Sequence, residues 1–184
     1  MSVLADILSL GRLLAAIVLP ALLRRGGALP LVVFGLAAAT DFVDGRIARR
    51  AARPTRHGAV LDNVADVAFV LTGTITTATL GLTTWAVPLA IALSVGSYAA
   101  ASLRLTAGAS TPRLARSGLG HAAGVCNYAC VGLAAGALAV PGPAWRGILA
   151  VGDAATVTVN LAAVAVRWVR KPAPVANDAS FLRP

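Results

Sequence analysis

The sequence has very little charge for its length. Only 12% of its 184 residues are charged, and glutamate is absent, whereas a soluble domain has about 25% charged residues. A soluble protein of this size would have to hide long uncharged stretches inside a small core. Together with an apolar content of 58%, the lack of charge favours an integral membrane protein over a soluble one.

Cysteine is also scarce, because Cys126 and Cys130 are the only two. Their spacing puts both on one face of a helix inside an apolar segment, and a metal site would need further ligands at suitable spacing. We therefore interpret both cysteines as small packing residues.

The acidic residues are too few to balance the basic ones, and the net charge is +9. In a soluble protein this excess would suggest nucleic-acid binding. Here the arginines lie mainly between apolar segments, and no aromatic RNA-binding motif is visible. Anionic membrane lipids and phosphate-bearing substrates are therefore the predicted partners, and nucleic acid is not.

Six apolar segments alternate with short connections. Most approach or exceed the roughly 20 residues that cross a bilayer, and the need to satisfy backbone groups in lipid favours helices over strands. The second segment is short and is expected to continue as a helix through the aspartates that follow it. We predict an all-α polytopic membrane protein with about six transmembrane helices, in one domain at 1–171 with a short disordered tail at 172–184. The segments run at about Leu4–Leu23, Leu29–Val43, Ala59–Leu80, Trp85–Ala107, Gly118–Val140 and Ile148–Val169.

The basic residues predict the orientation in the cell membrane, because cytoplasmic connections carry an excess of lysine and arginine. The connections after segments two and four, with the chain's end, hold most of them. The opposite connections hold only Arg24, Arg25 and Arg146. Both termini are therefore expected to be cytoplasmic. Tryptophans stand at predicted span ends, as interfacial tryptophans tend to: Trp85, Trp145 and Trp168.

The acidic residues are clustered. Four of the seven fall in one short window, at Asp41, Asp44, Asp62 and Asp66. On helices the first pair is three residues apart and the second pair four, so each pair shares a face. Two helices joined by a short loop can therefore direct four carboxylates into one space.

Four carboxylates at a membrane boundary repel one another and resist desolvation. A divalent cation removes both problems, and oxygen-only ligands favour a hard ion, Mg²⁺ or Mn²⁺. The small residues Gly45, Ala48 and Gly58 of the same window would let a bulky ligand approach the backbone. A solvated loop whose aspartates merely balance nearby arginines would not require this spacing.

The window resembles the signature of the CDP-alcohol phosphatidyltransferases, D-x2-D-G-x2-A-R-x8-G-x3-D-x3-D, at all eight specified positions. Length and span number agree as well, so the resemblance covers most of the chain. It implies a six-helix membrane enzyme, usually a homodimer, with a cytoplasm-facing site. There a phosphatidyl-type group would pass from a CDP-linked lipid to an alcohol, with release of CMP, in phospholipid biosynthesis.

The resemblance also implies roles for the residues of the window. The four aspartates would form the metal centre, with Asp66 also the catalytic base that takes the proton of the acceptor hydroxyl. The CDP part of the donor would be bound by Asp44, Gly45, Ala48, Arg49 and Gly58.

The acceptor is expected to be polar or anionic. Arg104, Arg113 and Arg116 lie on the same predicted side as the aspartates and could bind its phosphate, although topology alone would also account for them. The stretch from Ser9 to Arg12 loosely resembles the T-x-x-R element of phosphatidylglycerophosphate synthases, which favours glycerol 3-phosphate. Val67 stands where such relatives often carry a basic residue, so inositol phosphate or another alcohol stays an alternative.

Arg12, His121 and Asn127 are further polar residues inside apolar segments. Arg12 needs a polar partner within the membrane, unless its side chain extends to the membrane surface. For His121 and Asn127, hydrogen bonding between helices is favoured over a functional role. A small cation transporter is the competing function from another class, but it would need polar residues that continue across the bilayer.

The orientation can be tested by thiol labelling of intact cells. A cysteine introduced at Arg53, in a background without the two native cysteines, should be protected from a membrane-impermeant reagent because the charge distribution places it in the cytoplasm. A cysteine at Gly142, in an opposite connection, is the matched control and should react. Strong labelling at position 53 would overturn the predicted topology.

Overall fold

The computed structural model describes residues 2–50, 56–106 and 118–169, with side chains described for residues 7–40, 60–104 and 118–169. These residues form six helices, and no strand occurs among them. The helices are α1 (Ser2–Arg25), α2 (Leu29–Arg50), α3 (Arg56–Thr79), α4 (Ala86–Thr106), α5 (Gly118–Ala139) and α6 (Trp145–Val169).

The predicted all-α membrane fold is confirmed. Every apolar segment corresponds to one helix, and α2 continues as helix through the first aspartate pair, as expected. Among the described residues, five helices are long and apolar enough to cross a membrane, and the apolar part of α2, Leu29–Thr40, is shorter. Large side chains such as Ile17, Leu89 and Val151 are mostly exposed, which fits an exterior in contact with lipid. The predicted tail at 172–184 lies outside the described residues.

The turns between helices that the structure describes are short and use glycine where the backbone requires it. After α1, Gly26 and Gly27 adopt positive φ values of 72° and 78°. Gly26 caps the C-terminus of the helix by donating its N–H to the Leu22 carbonyl at 3.1 Å. Only glycine enters this region without a steric penalty. The chain can therefore reverse at once into α2.

Helix α3 lies at the centre of the bundle, where it packs against α1, α4 and α5. Its Phe69 is fully buried in a core that also contains Leu19 of α1 and Val131 of α5. Phe69 stacks with Tyr128 of α5 at 5.6 Å between ring centroids, and Phe34 of α2 lies 6.4 Å from each of them. These three rings, here called the aromatic trio, join α2, α3 and α5.

One face of α6 is polar and buried. Asn160 donates from Nδ2 to Oδ1 of Asn127 in α5 at 2.7 Å, and Arg167 donates from Nη1 to the Ser97 hydroxyl of α4 at 2.7 Å. Hydrogen bonds of this kind hold transmembrane helices together. The interpretation of Asn127 as a helix–helix contact is confirmed. His121 is exposed and makes no side-chain hydrogen bond with a described residue, so that interpretation stays a prediction for it.

The same face of α6 carries a buried aspartate. Asp153 is 6% exposed, and its Oδ2 accepts the backbone N–H of Thr84, just before α4, at 2.6 Å. Its Oδ1 accepts a weak hydrogen bond from the Cys130 thiol at 3.7 Å. Both cysteines are free, and Cys130 is buried in the core, which agrees with the packing role expected of it.

Two glycines of α5 provide a test of the packing around the aromatic trio. A Cβ at Gly132 would lie 2.6 Å from Cε1 and Cζ of Phe34, whereas a Cβ at Gly124 would have no neighbour within 4 Å. Gly132→Ala must displace the Phe34 ring and should destabilise the protein by about 1–3 kcal/mol. Gly124→Ala should be neutral or slightly stabilising, since alanine favours helix by about 1 kcal/mol.

The measurement is thermal unfolding of both variants in the same detergent. Equal melting temperatures would contradict the packing of Phe34 against α5.

Candidate active site

The second aspartate pair lies near the start of α3 and converges on one arginine of α1. Nη1 of Arg12 is 2.8 Å from Oδ1 of Asp62 and 2.5 Å from Oδ1 of Asp66. The two aspartates are one helical turn apart, so their carboxylates project from the same face of α3. A single guanidinium nitrogen can therefore bridge them.

The arginine is buried, although its partners are partly open. The Arg12 side chain is 0% exposed, whereas the side chains of Asp62 and Asp66 are 43% and 30% exposed. A buried guanidinium is tolerable only when it is paired, and these carboxylates supply the pairing. Arg12 thus has the polar partner that its position in an apolar segment required.

Each aspartate also accepts a hydrogen bond from a neutral hydroxyl. Ser9, one turn before Arg12 on α1 and 3% exposed, donates to Oδ1 of Asp62 at 3.3 Å. Tyr128 of α5 donates to Oδ1 of Asp66 at 2.7 Å. The carboxylates are therefore oriented by donors from two helices that flank α3.

Tyr128 was not among the residues predicted for the site. The sequence contains one indication of it, since a tyrosine inside an apolar segment needs a partner for its hydroxyl. The sequence does not identify that partner, because the Asp66 carboxylate that accepts the Tyr128 hydrogen bond lies 62 positions earlier in the chain.

The first aspartate pair and its neighbours occupy the end of α2. Their helical backbone is described, but the side chains of Asp41, Asp44, Gly45, Ala48 and Arg49 lie outside the described part of the structure, as does that of Gly58 at the start of α3. The two halves of the motif thus stand on consecutive helices, as the spacing predicted. Their convergence on one site stays a prediction.

The predicted acceptor arginines are only partly described. The Arg104 guanidinium lies 4.5 Å from the centroid of the Trp168 ring in α6, a cation–π contact near the ends of both helices. No contact between Arg104 and Asp62 or Asp66 occurs in the described side chains. Arg113 and Arg116 lie outside the described residues.

The donor chemistry of the described aspartates fits a cation. Asp62 and Asp66 present carboxylate oxygens, the ligands that Mg²⁺ and Mn²⁺ prefer, and they already bind a positively charged group. No set of three or more metal-ligating side chains occurs among the described residues, whose side chains do not include those of the first aspartate pair. A metal centre would therefore need Asp41 and Asp44 as well.

The importance of the buried ion pairs can be tested by removing the guanidinium. Arg12→Met leaves two carboxylates facing one another and should destabilise the protein by about 3 kcal/mol, the lower end of the range for breaking a buried pair. Arg24→Met is the matched control on the same helix, because Arg24 is exposed and its one described hydrogen bond is a 3.5 Å contact with the Pro20 carbonyl.

The measurement is the melting temperature of both variants in the same detergent. If Arg12→Met melts at the same temperature as Arg24→Met, the ion pairs do not stabilise the packing of α1 on α3.

The chain also matches a family of known proteins. The family model for CDP-alcohol phosphatidyltransferase matches residues 2–169, nearly the whole chain, and so includes all six helices and every aspartate of the motif. No curated protein matches the chain. Because the family match extends over far more than half of the sequence, the chain belongs to the CDP-alcohol phosphatidyltransferase family.

Proposed function

We propose that this member of the family takes its phosphatidyl group from a CDP-activated lipid such as CDP-diacylglycerol and transfers it to glycerol 3-phosphate, in phospholipid biosynthesis. The observation that carries the proposal is the pair of partly exposed carboxylates of Asp62 and Asp66. Both belong to the aspartate motif, and the buried Arg12 of α1 bridges them. Inositol phosphate or another alcohol is the alternative acceptor.

The reaction is a displacement at phosphorus. The acceptor hydroxyl oxygen forms a bond to the lipid-linked phosphorus, the bond from that phosphorus to the CMP oxygen breaks, and the hydroxyl proton passes to a base. We assign the base to Asp66, which is 30% exposed and lies one turn from Asp62. A divalent ion held by the four aspartates would supply positive charge to the pyrophosphate oxygens and to the departing CMP.

The remaining predicted residues bind and orient the substrates. Gly45, Ala48, Arg49 and Gly58, with Asp44, would hold the CDP part, and Arg104, Arg113 and Arg116 the acceptor's phosphate. Arg104 would have to leave its cation–π contact with Trp168 or bind the phosphate from that position. We further propose that the enzyme works in the cell membrane as a homodimer, with its site and both termini in the cytoplasm.

The proposal is tested by CMP release from purified protein. With CDP-diacylglycerol as donor, a panel of glycerol 3-phosphate, inositol phosphate, serine and a second lipid should give turnover chiefly with glycerol 3-phosphate. Faster turnover with another alcohol would show that this alcohol, and not glycerol 3-phosphate, is the acceptor. If no alcohol of the panel caused CMP release, CDP-diacylglycerol would be rejected as the donor. Turnover should require Mg²⁺ or Mn²⁺, so full activity in chelator with verified metal removal would contradict the metal centre.

The roles of the aspartates can be separated by amide substitution. Asp66→Asn keeps the size and one oxygen but removes the basicity, so the chemical step should fall by about 10²–10⁴-fold, the usual contribution of a positioned base. Binding of the CDP-lipid should be retained. Asp41→Asn or Asp44→Asn should instead weaken metal and nucleotide binding, and added metal should partly restore turnover.

Turnover measured against metal concentration, with binding of the CDP-lipid in parallel, distinguishes the two classes. Recovery of Asp66→Asn by metal, without recovery of Asp41→Asn, would show that the roles are exchanged. Wild-type turnover of Asp66→Asn at every metal concentration would show that Asp66 is not the base.

A further inference from the structure

Two donors from different helices meet at one oxygen of Asp66. Arg12 of α1 approaches Oδ1 from one side at 2.5 Å, and the Tyr128 hydroxyl of α5 donates to the same atom at 2.7 Å. A carboxylate on a flexible side chain can rotate about two bonds. Donors on two separate helices restrict that rotation more than one donor does.

Tyr128 is itself held by contacts of its ring with two other aromatic rings. It stacks with the fully buried Phe69 at 5.6 Å and lies 6.4 Å from Phe34. Phe69 is three residues after Asp66 on α3, so the ring that supports Tyr128 and the carboxylate that it contacts share one helix face. The hydroxyl therefore has a fixed position relative to Asp66.

A general base works only when its carboxylate meets the proton that it abstracts within hydrogen-bonding distance. Small errors in that placement reduce rates strongly, and sites of this kind depend on supporting residues that are themselves packed. The aromatic trio supplies such support. The Tyr128 hydroxyl of the trio donates to Asp66, the residue proposed as the base.

We propose that Tyr128 is a positioning residue that orients Asp66 for proton transfer. The inference rests on the proposed role of Asp66. Tyr128 acts through that carboxylate. Its loss should therefore change the chemical step and leave substrate affinity unaltered.

The variant is Tyr128→Phe, which keeps the ring and its stacking and removes only the hydroxyl. We expect kcat to fall about 10-fold, as for loss of a hydrogen bond to a charged group, with KM values for both substrates unchanged. The matched control is Tyr98→Phe, because Tyr98 is the only other tyrosine and its ring lies instead under Arg167, at 5.6 Å. The control should keep wild-type kcat.

A double-mutant cycle separates positioning from a purely structural effect. Because Tyr128 acts through Asp66, Tyr128→Phe should cause no further loss of kcat when Asp66 is already asparagine. An equal loss in both backgrounds, or wild-type kcat for Tyr128→Phe, would overturn the inference and leave the proposed function standing. Wild-type turnover of Asp66→Asn alone would overturn the inference together with the proposed role of Asp66 as the base.

A second readout does not depend on activity. In Tyr98→Phe protein grown with 3-fluorotyrosine, the label reports on Tyr128 alone, since the chain has two tyrosines. Its ¹⁹F resonance should shift when Asp66→Asn is added, because the charged acceptor is lost. An unchanged resonance would show that the hydroxyl does not contact Asp66, even if the variants proved too unstable for kinetics.

Discussion

The pairing of Arg12 with Asp62 and Asp66 determines how the rest of the bundle is arranged. A guanidinium inside an apolar span is unfavourable unless it is paired, so α1 can cross the membrane in this form only beside α3. Two carboxylates one turn apart would repel each other without it. The same contacts therefore fix the packing of two helices and bring two acidic groups together at one place.

The helices far from this pairing are joined by a different set of polar contacts. Lipid provides no hydrophobic force between helices, so packing and interhelical hydrogen bonds must hold them together. Helix α6 uses Asp153, Asn160 and Arg167 for this purpose, bonding respectively to the start of α4, to α5 and to the middle of α4. The described hydrogen bonds of Asp62 and Asp66 in α3 go to α1 and α5.

The helices and the motif could be predicted from the sequence because both are local patterns. A long apolar segment predicts a helix, and the position of Asp62 and Asp66 on one helix face follows from helical geometry. The sequence could also show that Arg12 needed a partner. It could not name Asp62 and Asp66, because the register between α1 and α3 depends on tertiary packing.

Tyr128 and Asp153 were missed for the same reason. Each needs a polar partner inside an apolar segment, but that partner lies more than sixty positions away and only the tertiary packing identifies it. The role of Arg104 was predicted from charge and topology alone. Those properties do not determine side-chain direction, and the guanidinium lies over Trp168.

The pairing of Arg12 also bears on how the chain enters the membrane during synthesis. Helix α1 is made first, yet the carboxylates that neutralise its arginine are 50 and 54 residues further along the chain. Until α3 emerges, α1 carries a charge that disfavours the hydrocarbon interior. Stable insertion of α1 is therefore expected to require α3, and the two helices are expected to insert into the bilayer together.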